Sequence, residues 1–296
     1  MRIAVTGATG FIGRALCAQL CGAGHALRAL VRAPSRELAS LASCEQVAVG
    51  DLENFRGWTR TLDGMQAIVH LAGYAHGRGS DAALDAVNVV ATRAAADAAR
   101  EHGAHFVYLS SIKVHGEESA APLREDSPLA LQERYARSKA AAEAALRSLA
   151  GLRLTVLRPP LVYGAGVKAN FLALARAIAR GVPLPLASID NRRSVVYVGN
   201  VVDAIARCLA EGRSVGRTYL VADREAPSTP ALCRAIGAAL ERPARLFPFP
   251  PAWLPLKQLT RSLEADTSAI GSELGWQPPF ALQHGLRATA LWYRGR

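Results

Sequence analysis

The sequence predicts an α/β fold, a doubly wound parallel sheet with a smaller, discontinuous C-terminal lobe. Residues 2–6 are an apolar, strand-like run that leads directly into glycines at positions 7, 10 and 13. Apolar β-rich runs then alternate with helical patterns, which is typical of a parallel sheet covered by helices on both faces. Half of the 296 residues are hydrophobic, enough for one large domain with a small appendage.

The individual elements follow from the hydrophobic pattern. Runs of apolar and β-branched residues predict strands at 2–6, 26–32, 46–49, 67–71, 105–110 and 153–158. Apolar residues at helical spacing predict helices at 13–21, 58–62, 82–102 and 133–149. Beyond residue 163 the pattern changes, and it predicts a helix at 169–180, an extended piece at 194–198, and helices at 201–211 and 282–293.

This change of pattern predicts two structural units. We expect residues 1–163 and about 193–222 to form a dinucleotide-binding domain, and residues 164–192 and about 223–296 to form a substrate-binding lobe. The lobe is expected to close over the carboxyl ends of the strands, where open α/β sheets bind ligands. The proline-rich apolar stretch at 247–256 is expected to pack on its own lobe, with a membrane or a partner chain as the alternative.

The first turn predicts a dinucleotide-binding site. Its three glycines answer different steric demands: a sharp turn, the approach of backbone N–H groups to a pyrophosphate, and close packing of helix on strand. The phosphates are expected at the helix N-terminus, where unpaired N–H groups and the helix dipole favour negative charge. The predicted contacts in this turn are Gly7, Thr9, Gly10, Phe11, Ile12 and Gly13.

The end of the second strand indicates which dinucleotide is bound. NAD-binding folds carry an acid there for the ribose 2′-hydroxyl, whereas an arginine accommodates a 2′-phosphate. Here the strand ends in Arg32, and Arg36 follows one turn later. We therefore predict NADP(H), with NAD(H) as the alternative. Further cofactor contacts are expected at Asp51, Leu52, Leu71, Ala72, Gly73 and Pro160.

A tyrosine and a lysine four residues apart predict acid–base chemistry. Tyr135 and Lys139 lie in an alanine-rich helical stretch, so they share one helix face. The ammonium is expected to lower the pKa of the phenol so that it exchanges a proton near neutral pH. Ser111, at the end of a central strand, is expected to hydrogen-bond the substrate oxygen; Ser110 is expected to line the pocket, and Asn88 to support it.

The glycine turn, Ser111 and the Tyr135/Lys139 pair together resemble the extended short-chain dehydrogenase/reductases, whose cofactor domain is Rossmann-like. The runs at 157–164, 168–171 and 193–198 are similar to those of the nucleotide-sugar epimerases and reductases. The resemblance implies that Tyr135 protonates a C4 alkoxide, that Ser111 hydrogen-bonds it, and that Lys139 also holds the nicotinamide ribose. It further implies that Asn170 and Arg193 hold the diphosphate of a UDP-sugar, and that a homodimer forms through a helix pair.

Departures from the family pattern narrow the expected activity. Lys113 stands where the sugar dehydratases place an acid, and His115 stands where the family often has tyrosine. The second-strand acid typical of epimerases is also missing. We therefore expect NADPH-dependent reduction of the C4 ketone of a UDP-4-keto sugar, with a 2-acetamido-6-deoxy hexose as the expected sugar. The alternatives are a UDP-sugar 4-epimerase with tightly bound NAD and a non-catalytic NADP(H)-sensing protein.

Composition limits the remaining function classes. Net charge is +11, and 31 of the 35 basic residues are arginines because only four are lysines. This excess favours an anionic ligand, but without a basic run interleaved with aromatics no nucleic-acid partner is expected. The sequence contains no uninterrupted apolar stretch of about twenty residues, so no membrane-spanning helix is expected. The five scattered cysteines are expected to be reduced, in a cytoplasmic protein without a leader or a metal site.

Overall fold

The computed structural model describes residues 1–74, 80–254 and 257–295. Its centre is a sheet of seven parallel strands, and the remaining two strands form a separate parallel pair. The strands are β1 (Arg2–Thr6), β2 (Ala26–Val31), β3 (Cys44–Ala48), β4 (Ala67–His70), β5 (His105–Leu109), β6 (Arg153–Arg158), β7 (Leu161–Tyr163), β8 (Val195–Tyr197) and β9 (Thr218–Leu220). The order in the large sheet is β3-β2-β1-β4-β5-β6-β9, which confirms the doubly wound α/β prediction.

Helices cover both faces of this sheet. They are α1 (Phe11–Gly22), α2 (Arg36–Ala39), α3 (Trp58–Leu62), α4 (Asp81–Asp85), α5 (Thr92–Glu101), α6 (Arg134–Arg147), α7 (Ala169–Ala179), α8 (Val198–Ala210), α9 (Thr229–Ala239), α10 (Lys257–Thr260), α11 (Ser268–Leu274) and α12 (Leu282–Arg294). Within the described part of the chain, no helix is both long and apolar enough to cross a membrane.

The helix predicted at 82–102 is interrupted rather than continuous. A π-helical turn, Ala86–Ala91, lies between α4 and α5. Such single π-turns shift the faces of the flanking helical segments relative to each other and often occur at functional sites. The hydrophobic spacing does not reveal the interruption, because a π-turn displaces the apolar positions by only one residue.

The sheet is buried on both faces, as its uninterrupted apolar strands require. Ile3, Val5, Ile68 and Val107 of the inner strands are at most 1% exposed. Strand order reverses at β1, which pairs with β2 on one side and β4 on the other. Ligands of doubly wound folds bind at the carboxyl edge of such a reversal. The glycine turn after β1 and the segment after β4 therefore meet at the predicted cofactor site.

The chain beyond residue 163 contributes to two different cores. Val201 and Ile205 of α8 belong to the same buried cluster as Leu16 of α1, so α8 packs with the large sheet. Another cluster contains Phe171 of α7 together with residues of α9 and α12. The domain boundaries stay a prediction, and residues 255 and 256 of the apolar stretch lie outside the described residues.

Glycines determine how closely α1 approaches β1. Gly7 has φ +67°, a conformation that residues with a side chain rarely adopt. A Cβ on Gly13 would lie 2.1 Å from the carbonyl oxygen of Gly7 and 2.7 Å from the Cα of Ala8. The missing side chain at residue 13 thus allows helix and turn to touch through their backbones.

We expect Gly13→Ala to lower the free energy of unfolding by about 3 kcal/mol, because backbone atoms must move to admit the methyl group. Gly22→Ala in the same helix is the matched control, since nothing lies within 4 Å of its added Cβ. This control is expected to be neutral or to gain up to about 1 kcal/mol from helix propensity. Urea unfolding of both variants is the measurement, and equal losses in both would contradict the packing argument.

Candidate active site

Lys139 lies where three elements of the candidate site converge. Its Nζ donates a 2.8 Å hydrogen bond to the carbonyl of Leu109, the last residue of β5. The same ammonium is 4.6 Å from the ring centroid of Tyr108 and 5.9 Å from that of Tyr135. A Cβ on Gly73, just after β4, would lie 3.6 Å from it. The lysine therefore connects α6 with the carboxyl ends of two central strands.

Burial lowers the pKa of Lys139. Only 5% of Lys139 is exposed, and burial lowers its pKa from 10.5 to about 8, while Glu143 opposes the change. The side chain is still mainly charged at neutral pH. A cation held with few water contacts interacts strongly with nearby dipoles and π-faces.

The predicted lowering of the tyrosine pKa is wrong for this structure. Tyr135 and Lys139 share one face of α6, but burial raises the pKa of Tyr135 from 10.0 to about 12. The loss of hydration at the phenol outweighs the favourable charge of an ammonium almost 6 Å from the ring centroid. At neutral pH the phenol therefore keeps its proton.

The two serines after β5 have different surroundings. Ser110 is 3% exposed, and its hydroxyl donates a 2.6 Å hydrogen bond to Glu143. The Oγ of Ser111 accepts a hydrogen bond from the backbone N–H of Lys113 at 3.3 Å and caps the short 3₁₀ segment Ile112–His115. Accepting there leaves the Ser111 hydroxyl proton available to another oxygen. Substrate contact by either serine stays a prediction.

A buried ion pair lies behind these serines. Arg158 of β6 donates through Nε and Nη2 to the two carboxylate oxygens of Glu143 on α6, at 3.0 and 2.5 Å. Its Nη1 donates to Nε2 of His115 at 2.8 Å. The proton of this imidazole must then be on Nδ1, which lies 3.2 Å from the carbonyl of Pro128. Burial and Arg158 lower the pKa of His115, which indicates a neutral, structural histidine.

Asn88 connects the π-turn to the segment after β4. Its Oδ1 accepts from the backbone N–H of Tyr74 at 2.7 Å. Its Nδ2 donates to the carbonyl of the same residue and to Oγ of Ser138 on α6. The supporting role predicted for Asn88 thus has definite partners, and they orient the loop that contains Gly73.

His70 was not predicted, although it lies at the centre of the sheet. Its Nδ1 is 3.1 Å from Oγ1 of Thr6, and its Nε2 is 3.0 Å from Oγ1 of Thr92. Burial, with a smaller contribution from Lys139, lowers its pKa to about 3, so the ring is neutral. Oγ1 of Thr6 also accepts from the N–H of Ala72. The network fixes the segment after β4 against β1; no sequence motif marks it.

Lys113, which replaces an expected acid, joins two segments of the site. Its Nζ lies 2.9 Å from a carboxylate oxygen of Glu133, just before α6, and 2.7 Å from one of Glu117. The loop that contains Ser111 is thereby connected to the start of the helix that contains Tyr135. The replacement of an acid by Lys113 is visible in the sequence, whereas its contacts with Glu117 and Glu133 are not.

The glycine turn fits a dinucleotide pyrophosphate. The start of α1 has, among the described residues, no side-chain cap and no acid in its first turn. A Cβ on Gly7 would lie 2.9 Å from the backbone nitrogen of Ala72, so this cradle requires a bare backbone. Phe11 and Ile12 are half-buried beside the turn, and Thr9 is exposed. These are the features that phosphate binding at a helix N-terminus needs.

Two predicted cofactor residues pair with each other. Nε of Arg32 lies 2.7 Å from a carboxylate oxygen of Asp51, and both side chains are more than half exposed. Arg36 is exposed at the start of α2, and Leu52 packs against the buried core. The guanidinium and the carboxylate are thus both at the edge where the adenosine half of a dinucleotide would lie.

The predicted substrate residues Asn170 and Arg193 both lie in the part of the chain that follows residue 163. Asn170 is exposed in the first turn of α7. Arg193 is half-buried and donates to the carbonyl of Arg261 at 2.9 Å. Burial lowers its pKa, and nearby Glu117 opposes this change. Pro160, predicted to contact the cofactor, is buried after β6. Contact of these residues with substrate or cofactor stays a prediction.

Comparison with known proteins gives matches along the whole chain. A family model described as the NAD dependent epimerase/dehydratase family matches residues 3–222. UDP-glucose 4-epimerase of Vibrio cholerae is 32% identical over 97% of this chain and 94% of its own length. GDP-6-deoxy-D-mannose reductase of Pseudomonas aeruginosa is 29% identical over 97% and 95%. UDP-glucuronic acid 4-epimerase of Bacillus cereus, solved with NAD, has a similar fold (TM-score 0.85, 18% identity, covering 100% and 99%).

We expect Lys139→Met to make the fold more stable at neutral pH while it removes the cation. Below about pH 8 both the folded and the unfolded wild type carry the ammonium, so its full burial cost applies. As pH rises from 8 towards 10.5 the folded state loses this proton first, and the cost disappears. The variant's advantage is therefore at most about 3 kcal/mol near pH 7 and less than about 1 kcal/mol at pH 10. Urea unfolding at both pH values measures it; a pH-independent difference would contradict the burial argument.

Proposed function

This chain belongs to the NAD dependent epimerase/dehydratase family, and on that premise we propose that it reduces the C4 ketone of a UDP-4-keto sugar with NADPH. It is an NAD(P)-dependent enzyme of the extended short-chain dehydrogenase/reductase type. The proposed sugar is a 2-acetamido-6-deoxy hexose, and the proposed site of action is the cytoplasm. Sugar reductases and 4-epimerases are both among its relatives.

The observation that carries this proposal is the arginine at the end of β2. β2 ends at Val31 without an acid, and Arg32 follows immediately. A carboxylate at this position would accept from a ribose 2′-hydroxyl and repel a 2′-phosphate. Arg32 uses Nε towards Asp51, but a guanidinium has four further N–H donors. The proposed preference is therefore NADP(H), the cofactor that reductases in biosynthesis consume.

Tyr135 is the proposed proton donor of the reduction. When bound, the reduced nicotinamide supplies the hydride for the ketone carbon. The Tyr135 phenol, whose pKa burial raises to about 12, holds the proton that the new alkoxide oxygen requires. Ser111 is proposed to hydrogen-bond the same oxygen. Lys139 is proposed to hold the nicotinamide ribose and to stabilise the tyrosinate formed when the proton leaves.

The second candidate is a UDP-sugar 4-epimerase, which the 32% identity to UDP-glucose 4-epimerase of Vibrio cholerae over 97% of this chain favours. An epimerase would pass the C4 hydroxyl proton to a side chain and the C4 hydride to bound NAD, and would then return the hydride to the opposite face of the ketone and the proton to its oxygen, so its NAD would be regenerated in each cycle. A reductase consumes one NADPH for each sugar that it reduces. The two functions therefore differ in cofactor balance even if they use the same side chains.

We expect the purified protein to oxidise NADPH in the presence of a UDP-4-keto-6-deoxy sugar, with one NADPH consumed per ketone. Tyr135→Phe should lower kcat by about a hundredfold or more, because the proton donor is lost. Tyr293→Phe, on the partly buried end of α12, is the matched control and should retain the rate. Loss of the reduced nicotinamide band measures turnover. Interconversion of C4 epimers with retained NAD and no NADPH loss would instead establish the epimerase.

We expect Arg32→Gln to weaken NADPH binding by roughly ten- to a hundredfold, because charge-assisted hydrogen bonds to the 2′-phosphate are lost. NADH binding should change less than about threefold, since NADH lacks that phosphate. Arg60→Gln, an exposed arginine on α3, is the control for the change in net charge. Isothermal titration with both cofactors gives the dissociation constants. Tighter binding of NADH than of NADPH by the wild type would refute the preference.

A further inference from the structure

One surface segment combines exposed aromatic side chains with an excess of positive charge. Residues 242–261, which we name the aromatic–basic segment, contain no acidic residue in a run of 20. Four of them are basic: Arg242, Arg245, Lys257 and Arg261. The description below concerns residues 242–254 and 257–261 of this segment.

The aromatic side chains of this segment are unusually open to solvent. Trp253 is 76% exposed and Phe247 is 41% exposed. By contrast, Trp58 and Trp276 are at most 4% exposed. An indole ring that stays in water forgoes the free energy that its burial would release. Exposed apolar patches of this kind commonly mark interaction surfaces.

Backbone hydrogen bonds fix the first half of the segment. Leu184 donates to the carbonyl of Arg245 at 2.8 Å and accepts from the N–H of Phe247 at 3.0 Å. The N–H of Phe249 donates to Oγ of Ser188 at 3.2 Å. The rings of Phe249 and Trp253 meet edge to face, with centroids 6.2 Å apart. Residues 184–188 therefore hold the backbone at Phe247 and Phe249, and the ring contact connects Trp253 to Phe249.

Basic residues flank these aromatic residues along the sequence. Arg242 and Arg245 precede Phe247, and Lys257 and Arg261 follow Trp253; all four are exposed. Arg261 pairs with Glu118 at 3.4 Å, with both side chains more than half exposed. Tryptophan at the level of lipid headgroups, flanked by lysine or arginine, is the composition of interfacial membrane anchors.

We propose that the aromatic–basic segment docks on a membrane surface that contains anionic phospholipids. Trp253 and Phe247 insert at the headgroup–acyl boundary, and the four basic residues contact lipid phosphates. The net charge of +11 adds a long-range attraction to the same surface. A second copy of this chain fits less well, because a two-fold interface through this segment would bring like charges together.

The segment ends beside the candidate substrate cleft. The carbonyl of Arg261 accepts from Nη1 of Arg193, the residue predicted to hold a diphosphate. Docking would therefore hold the C-terminal wall of the cleft close to the bilayer surface. The docking proposal itself does not depend on which reaction the cleft performs.

Vesicle binding of the full-length protein tests the proposal. We expect the protein to sediment with vesicles of phosphatidylcholine that contain about one-quarter phosphatidylglycerol, and at least about tenfold less with pure phosphatidylcholine. Raised salt should weaken binding, because the lipid and protein charges are then screened. Tryptophan emission should shift to shorter wavelength on the anionic vesicles, and the shift should be absent from Trp253→Leu.

Two double variants separate the apolar contribution to vesicle binding from the electrostatic one. Phe247→Ser with Trp253→Ser should weaken binding by at least about tenfold, and Arg245→Gln with Lys257→Gln by about thirtyfold. The matched controls lie outside the segment: Leu291→Ser, an apolar residue that is 69% exposed, and Arg60→Gln with Arg287→Gln. Controls should bind as the wild type does. Circular dichroism and urea unfolding verify that every variant is folded.

Three results would overturn the proposal. The first is equal binding to neutral and anionic vesicles, and the second is unchanged binding of both double variants. The third is self-association in the absence of lipid that the Phe247/Trp253 variant abolishes, combined with no vesicle binding. That last outcome, measured by sedimentation velocity, would assign the segment to an interface between two copies of the chain.

Discussion

The buried pair of Arg158 and Glu143 is the interaction on which the geometry of the site depends. Both residues are at most 5% exposed, and removing either side chain would leave the other charge unpaired, which typically costs about 3–5 kcal/mol. The pair connects β6 to α6, and through Ser110 and His115 it also holds the segment that follows β5. Because α6 carries the tyrosine and lysine while that segment carries Ser111, the ion pair helps to fix the position of Ser111 relative to Tyr135 and Lys139.

The sheet was predictable because its strands are buried on both faces and therefore read as continuous apolar runs. β9 was missed because Thr218–Leu220 is only three residues long and gains its place by pairing with β6. The small pair of β7 and β8 is equally short, so only its second strand was anticipated, within the run at 194–198. Short strands are fixed by partners distant in sequence, and a local pattern does not contain that information.

The residues of the candidate site likewise divide into those that a local sequence pattern predicts and those that it does not. The glycine turn and the spacing of Tyr135 and Lys139 are local signals, and the family resemblance that they suggested is confirmed. Asn88 was given a supporting role from its position alone, whereas His70 and the Lys113–Glu133 contact connect residues 20 or more apart and left no motif. The pKa of Tyr135 moved opposite to the prediction for a related reason: helical spacing shows that an ammonium is near, but only the packed structure shows how much water the phenol has lost.

The scarcity of lysine, together with the burial of Lys139, has a practical consequence for chemical modification. Lys139 lies within the protein and Lys113 is held between two carboxylates, whereas Lys168 and Lys257 are exposed. An acylating reagent or an activated solid support should therefore attach mainly through Lys168, Lys257 and the chain terminus. Coupling through Lys168 or the terminus would immobilise or label the folded protein while its buried amine stays unmodified.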